Sequence, residues 1–243
     1  MRHVTKVLAG GMLAGSAVLL TACGGYTHHD DSKGAQGSGG SAKAADPALV
    51  QDLVLPAAEF PSGFQAQEVP KGPEMQQMMD QTLSSVKDST ITPAHCKQAS
   101  AIPDTVKLDD MGMAMGMKGT DTAAVVVMAQ KTDLGTQRTM LADGCDKLSV
   151  TMNSGVAAGA SGTTEQHEVT APKTAADDAM VIESKTAMSY QGQSVNSTGR
   201  VGMAEVNGYT VTVQFTSQQG DVDDAAFDDV FTKAVDRVAQ KSA

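Results

Sequence analysis

The sequence predicts an α+β domain, an antiparallel sheet with amphipathic helices packed on one side and one disulfide. Three observations carry this. Asn207-Gly208 stands between VGMAEV and YTVTVQF, and Asn-Gly supplies the two positive φ angles of a type I′ turn between two strands. Phe227, Val230, Phe231, Ala234, Val235 and Val238 recur at steps of three and one. They form one apolar stripe on a closing helix over 223–240, with Asp223 and Asp224 against its positive N-terminus. The run AAVVVMA over 123–129 is continuously apolar, as a central strand buried on both faces would be.

The chain opens with MRHVTKVLAGGMLAGSAVLLTAC. Arg2 and Lys6 form a positive head that stays on the cytoplasmic side. Val7 to Leu20 has the length of a signal-peptide apolar core and is short for a transmembrane helix. Leu20-Thr21-Ala22-Cys23 resembles the lipobox of bacterial lipoproteins, with an apolar residue, two small residues and a thiol that receives diacylglycerol before cleavage. An ordinary secretory signal would leave Cys23 incidental, and the small residues around it argue against that. Residues 1–22 are therefore read as a lipoprotein signal peptide, 23–46 as a lipidated flexible tether and 47–243 as a single α+β domain. Cys23 is the expected lipidation site, and the expected location is the extracytoplasmic face of the cell membrane.

The tether, GGYTHHDDSKGAQGSGGSAKAAD after Cys23, holds almost nothing to bury. A flexible chain of that length reaches about 25–30 Å on average. His28-His29 with Asp30-Asp31 reads as solvated tether rather than a metal handle.

Cleavage before Cys23 leaves 221 residues with 16 basic and 28 acidic side chains, a formal charge of −12. Such a surface repels nucleic acid and anionic headgroups. The membrane hold must then come from the lipid. High Ala, Gly, Asp and Thr with little Ile fits a GC-rich, actinobacterial source.

With Cys23 lipidated, Cys96 and Cys145 remain, an even pair in an oxidising compartment. Free thiols or a redox couple are the alternatives, but no Cys-x-x-Cys spacing supports the latter, so a structural disulfide is expected. Closing a loop of about 50 residues is worth about 4 kcal/mol in the chain-entropy description.

The remaining elements follow in order. LVLPAAEFPSGF (53–64) reads as an extended opening anchored by Leu55, Phe60 and Phe64, its prolines opposing a helix. EMQQMMDQTLSSV (74–86) places Met75, Met78, Met79, Leu83 and Val86 at helical spacing. Leu134–Leu141 suggests a short helix leading to Cys145 and a strand over 147–153. The stretch 154–164 reads as a mobile loop, followed by strands near 165–170, 179–188 and 195–206.

The most unusual feature is methionine. Met111, Met113, Met115 and Met117 alternate with Gly112, Ala114 and Gly116. Soft thioethers are preferred ligands for Cu(I), so a Met-rich copper-binding envelope lipoprotein is the alternative reading. Against it, Met fills irregular gaps or forms an adaptable surface for a partner or apolar ligand. The two glycines make the segment a poor strand, so a partly exposed apolar loop is expected.

Enzyme signatures are absent. There is no Gly-x-Ser-x-Gly, no His-Glu-x-x-His and no Ser-x-x-Lys with its companion motifs. His95 adjoins Cys96 and is expected near the disulfide. His167, between two acids, reads as an exposed residue. Asp109-Asp110 and Asp177-Asp178 lack calcium-loop spacing, and Asn196-Ser197-Thr198 matches a sequon of little meaning in such a bacterium. No resident cofactor is expected.

Leu55-Pro56, Phe60-Pro61-x-Gly63-Phe64, Thr92-Pro93-x-x-Cys96 and Gly144-Cys145 together resemble a group of mycobacterial-type lipoproteins of unknown function. These are related to the extracellular sensor domain of the PknH serine/threonine kinase. The resemblance spans most of 50–240 and implies an antiparallel sheet with helices and a cleft. The kinase pattern has two disulfides, whereas one pair is available here. The resulting expectation is a membrane-anchored, non-enzymatic, sensor-like binding domain. Its partner would be an envelope protein or a small apolar molecule taken up in a shallow cleft, with no role for nucleic acid.

Overall fold

Nine strands pair into one sheet in the computed structural model, which describes residues 45–69, 72–99, 110–155 and 157–243. Cys23, the signal segment and the tether as far as residue 44 lie outside the described residues, as do Asp109 and the side chains of Met75 and Met78.

A 3-10 turn over Pro47–Leu49 leads into α1 (Val50–Leu53), and a second turn over Ala57–Glu59 precedes β1 (Gln65–Gln67). Next come α2 (Pro73–Asp88), β2 (Thr90–Thr92), α3 (Cys96–Ala99), β3 (Met111–Lys118) and β4 (Asp121–Met128). α4 (Leu134–Met140) runs into a wider turn over Leu141–Cys145. β5 (Lys147–Thr151), β6 (Ser161–Val169), β7 (Asp178–Tyr190), β8 (Gln193–Val206), β9 (Tyr209–Ser217) and α5 (Asp224–Lys241) complete the order. Among the described residues no helix is long and apolar enough to cross a membrane.

The strand order is β1-β3-β4-β9-β8-β7-β6-β5-β2, and every pairing is antiparallel. β1 and β2 are close in sequence yet form opposite edges, so α2 joins one margin of the sheet to the other. The Asn207-Gly208 turn is found as expected, with φ of 50° and 87°. It joins the two longest-buried strands, β8 and β9.

α5 packs its whole apolar stripe on one face. Phe227, Val230, Phe231, Ala234, Val235 and Val238 are each 0 % exposed. They meet Val125, Val127, Val211, Val213 and Ala204 from the sheet. Phe227 lies 5.7 Å edge-on to Phe215 and 5.9 Å stacked on Phe231. Asp223 caps α5 by accepting from the Ala226 amide at 3.0 Å. Arg200 of β8 lies 5.1 Å over the Phe227 ring and pairs with Asp224, Asp228 and Glu183. That links the start of the helix to the strand beneath it.

The α+β class, the antiparallel sheet and the single disulfide are as the sequence predicts. One element extends this picture: α4 lies on the face opposite α5, where Leu134 packs on Met180, Ile182, Val201 and Met203. Register fixes this, because those residues alternate with Val181 and Ala204 of the α5 face. The disulfide Cys96–Cys145, with a Cα separation of 5.6 Å, ties α3 to the turn after α4. Both cysteines are buried with Ile91 and Leu148.

Three local readings need correction. The opening over 53–64 contains short helical turns, because each proline sits just outside a turn rather than within a long helix. Leu55 and Phe60 are nonetheless buried anchors, with Phe64 packed beside them. Residues 161–164 belong to β6 rather than to the loop, held by pairing with Ala187 and Thr186 of β7. The methionine segment is strand β3, not a loop.

The glycines that argued against a strand at 111–117 are what allow it. Gly112 and Gly116 face the α5 side, and a Cβ on Gly112 would strike the Val50 carbonyl oxygen of α1. One on Gly116 would fall 2.7 Å from the Phe60 ring. The chain start is fixed nearby: the Asp46 amide donates to the Tyr209 hydroxyl at 2.8 Å, and Gln51 Nε2 donates to the Met111 carbonyl at 3.0 Å. Gly112→Ala is therefore expected to push α1 off β3 and destabilise the fold by about 1–3 kcal/mol. The check is the shift of the denaturant midpoint at unchanged slope.

Candidate functional site

Because Gly112 and Gly116 take the α5 face, Met111, Met113, Met115 and Met117 all fall on the opposite one, each half-buried. Cross-strand register extends each into a row. Met113 lies beside Val126, then Thr212, Met203 and Met180. Met115 lies beside Ala124, Gln214, Val201 and Ile182. Met117 lies beside Thr122, Thr216, Gly199 and Ser184. The rows have methionines at the β3 margin, small residues at Ala124 and Gly199, and polar groups along β9.

β9 decides the chemistry. Its sequence YTVTVQFTS alternates, which ordinarily means one wet face, yet all nine residues are buried. Thr212 is 7 % and Gln214 6 % exposed. The Thr212 hydroxyl and the Gln214 carbonyl oxygen have no hydrogen-bond partner. A buried polar atom left unpaired costs about 1–3 kcal/mol. Native proteins rarely leave such atoms unpaired without a bound water, a ligand or a functional reason. Gln214 Nε2 donates weakly to Thr216 Oγ1 at 3.4 Å, so the amide has a direction but only partial satisfaction.

The structure does not gather all four methionines at one point. Alternate residues of a strand lie about 7 Å apart, so four of them spread over about 20 Å. Only neighbours along the row can bring sulfurs together. Among the described residues, His95, Cys96 and Cys145 also bring metal-ligating atoms within 4.8 Å of one another. There both sulfurs are in the disulfide and offer no thiolate. His95 Nε2 sits 3.4 Å from Cys96 Sγ and 3.2 Å from the Asp143 carbonyl, the expected place beside the bridge. His167 is an exposed β6 residue, 3.6 Å from Glu183.

One end of the face is bounded by α4 and its charges. Arg138 reaches Asp178 with two hydrogen bonds of 2.9 and 3.0 Å, Glu168 with one of 3.0 Å, and the Ala179 carbonyl at 2.7 Å. This bidentate contact lowers the pKa of Asp178 and raises that of Arg138. Asp133, the α4 cap, is also held below the usual carboxylate range by hydrogen bonds from the Thr136 hydroxyl and amide. Glu205 moves the other way: burial pushes it up, despite Lys131 at 3.8 Å.

The sequence reading missed Thr212 and Gln214. The available signal was polar residues alternating within one strand of the Asn207-Gly208 hairpin, and that pattern alone does not distinguish a wet face from a covered one.

No protein-family model matches the chain, and no curated protein matches it. Among the solved structures similar to it are the following two. An uncharacterised protein of Mycobacterium smegmatis aligns at 16 % identity and TM-score 0.41, over 82 % of this chain and 100 % of that one. The extracellular domain of PknH from Mycobacterium tuberculosis aligns at 13 % identity and TM-score 0.48, over 83 % of this chain and 100 % of that one. The second is the domain that the short motifs resemble.

The carboxylates on and against α4 set its response to acid. Asp133 and Asp178 have depressed folded pKa values, so their stabilisation is present above the ordinary carboxylate range and is lost as pH falls through the folded values. Glu205, raised by burial, acts in the opposite sense and partly offsets them. Amide protection of Leu134–Met140 in hydrogen exchange, corrected for the intrinsic rate, is expected to fall below about pH 4. Arg138→Gln should flatten the Asp178 part of that profile.

Proposed function

We propose that this chain is a lipid-anchored, extracytoplasmic binding module without catalytic activity, which takes a small apolar or amphiphilic ligand on the methionine-lined face of its sheet. The observation that carries the reading is the row of four half-buried methionines on the same sheet face as buried, unpaired polar atoms of β9. Unbranched thioethers adapt to varied apolar shapes, and apolar walls with a few convergent polar groups are what ligand sites are made of. The lipobox ending at Cys23 and the acidic composition support an address at the outer face of the membrane, with the lipid as the hold. An envelope protein docking on the same face is the macromolecular form of this reading.

Cu(I) is a weaker candidate, because three or four sulfurs must surround one ion and the strand spaces them out. Under reducing conditions, Cu(I) titration of the protein and of a variant with Met111, Met113, Met115 and Met117 changed to Leu should give equal, weak uptake. Strong binding lost in the variant would restore the metal reading. For the anchor, Cys23→Ser is expected to move the protein from the membrane fraction to the soluble one. Retention in the membrane would sink the lipid assignment. For the ligand, native mass spectrometry of protein extracted from its own membrane should show a bound small molecule.

A further inference from the structure

We propose that the ligand is a neutral amphiphile: an uncharged head bearing hydroxyl or amide groups pairs with Thr212 and Gln214, and its apolar part lies along Met113, Met115 and Met117. This rests on the binding role proposed above and narrows the class of molecule that fills it.

Polarity comes first. The Gln214 carbonyl oxygen is an acceptor without a donor, and the Thr212 hydroxyl can give or take one bond. Both side chains are more than nine-tenths buried. They lie two residues apart on β9 and so point to the same face, about 7 Å apart along the strand. A head with two or more hydroxyl or amide groups spans that interval, whereas a plain hydrocarbon would leave both groups unpaired.

Charge comes next. From β3 to β7, the three rows led by Met113, Met115 and Met117 contain no Lys, Arg, Asp or Glu. A phosphate or carboxylate head would find no cation there. The guanidinium of Arg138 on α4 is already held by Asp178 and Glu168. A cationic head would find no carboxylate on these rows either, and desolvating either charge without a partner is prohibitive.

Shape comes last. Ala124 separates Met115 from Gln214, and Gly199 follows Thr216. Ala124, the smallest side chain between the methionine margin and β9 in these rows, leaves the floor lower there. An apolar chain can lie against the thioethers with its head towards β9.

The test uses the full chain as Cys23→Ser, to keep it free of attached lipid. Isothermal titration compares three probes of equal chain length, each below its micellar concentration: monomyristoylglycerol, myristate and tetradecyltrimethylammonium. The neutral probe is expected to bind at least about tenfold more tightly than either charged one. Thr212→Val with Gln214→Met should bring that preference within about threefold while apolar binding remains. A charged probe binding as tightly as the neutral one, or a preference that survives the double variant, overturns the proposal. If none of the three binds, the binding role itself fails. Circular dichroism reports whether the double variant folds. If it does not, the head preference of the unaltered strand decides the matter.

Discussion

The arrangement of this domain depends on the burial of β9 on both faces. A strand with no exposed residue needs a cover on each side. On one side α5 supplies it with six fully buried side chains. Phe215 of β9 sits within an aromatic series running from Phe64 through Phe215 and Phe227 to Phe231. On the other side the floor is partly polar, and α4 packs on the β7–β8 part of it. The apolar face fixes the fold, while the opposite face tolerates groups that a well-packed core would exclude.

A second constraint is the close approach of the N-terminal turns to β3. Val50 and Phe60 leave no room for a side chain beneath them, so the strand carries glycine at 112 and 116. Strand alternation then consigns the intervening residues to the far face. The composition of the methionine row and its placement thus share one cause: packing on one side of a strand dictates what the other side displays.

Much of this was legible in the sequence, because the signals were local. The Asn207-Gly208 turn, the α5 stripe, the apolar run of β4 and the helix over Pro73–Asp88 each declare themselves within a few residues. The pairing of Cys96 with Cys145 followed from parity. What was not legible depended on distant neighbours. Gly112 and Gly116 look like strand breakers until α1 is seen pressing on them. Thr212 and Gln214 look solvent-facing until the register places them in the middle of the sheet. The side of the sheet taken by α4 is likewise set by which residues of β7 and β8 it meets, and spacing within the helix does not reveal it.

The anchoring of residue 46 has a directional consequence. Asp46 is hydrogen-bonded to Tyr209, next to the Asn207 turn, which also holds the end of α5 through Ala239 and Ser242. Met128 pairs with both Met111 and Thr210, so Met111 belongs to this same pole, and Met117 lies towards the other. The methionine row is therefore polarised like a slipway, with a near end beside the point where the preceding chain departs and a far end about 20 Å away. The described chain thus begins at the head of the slipway rather than along its flank.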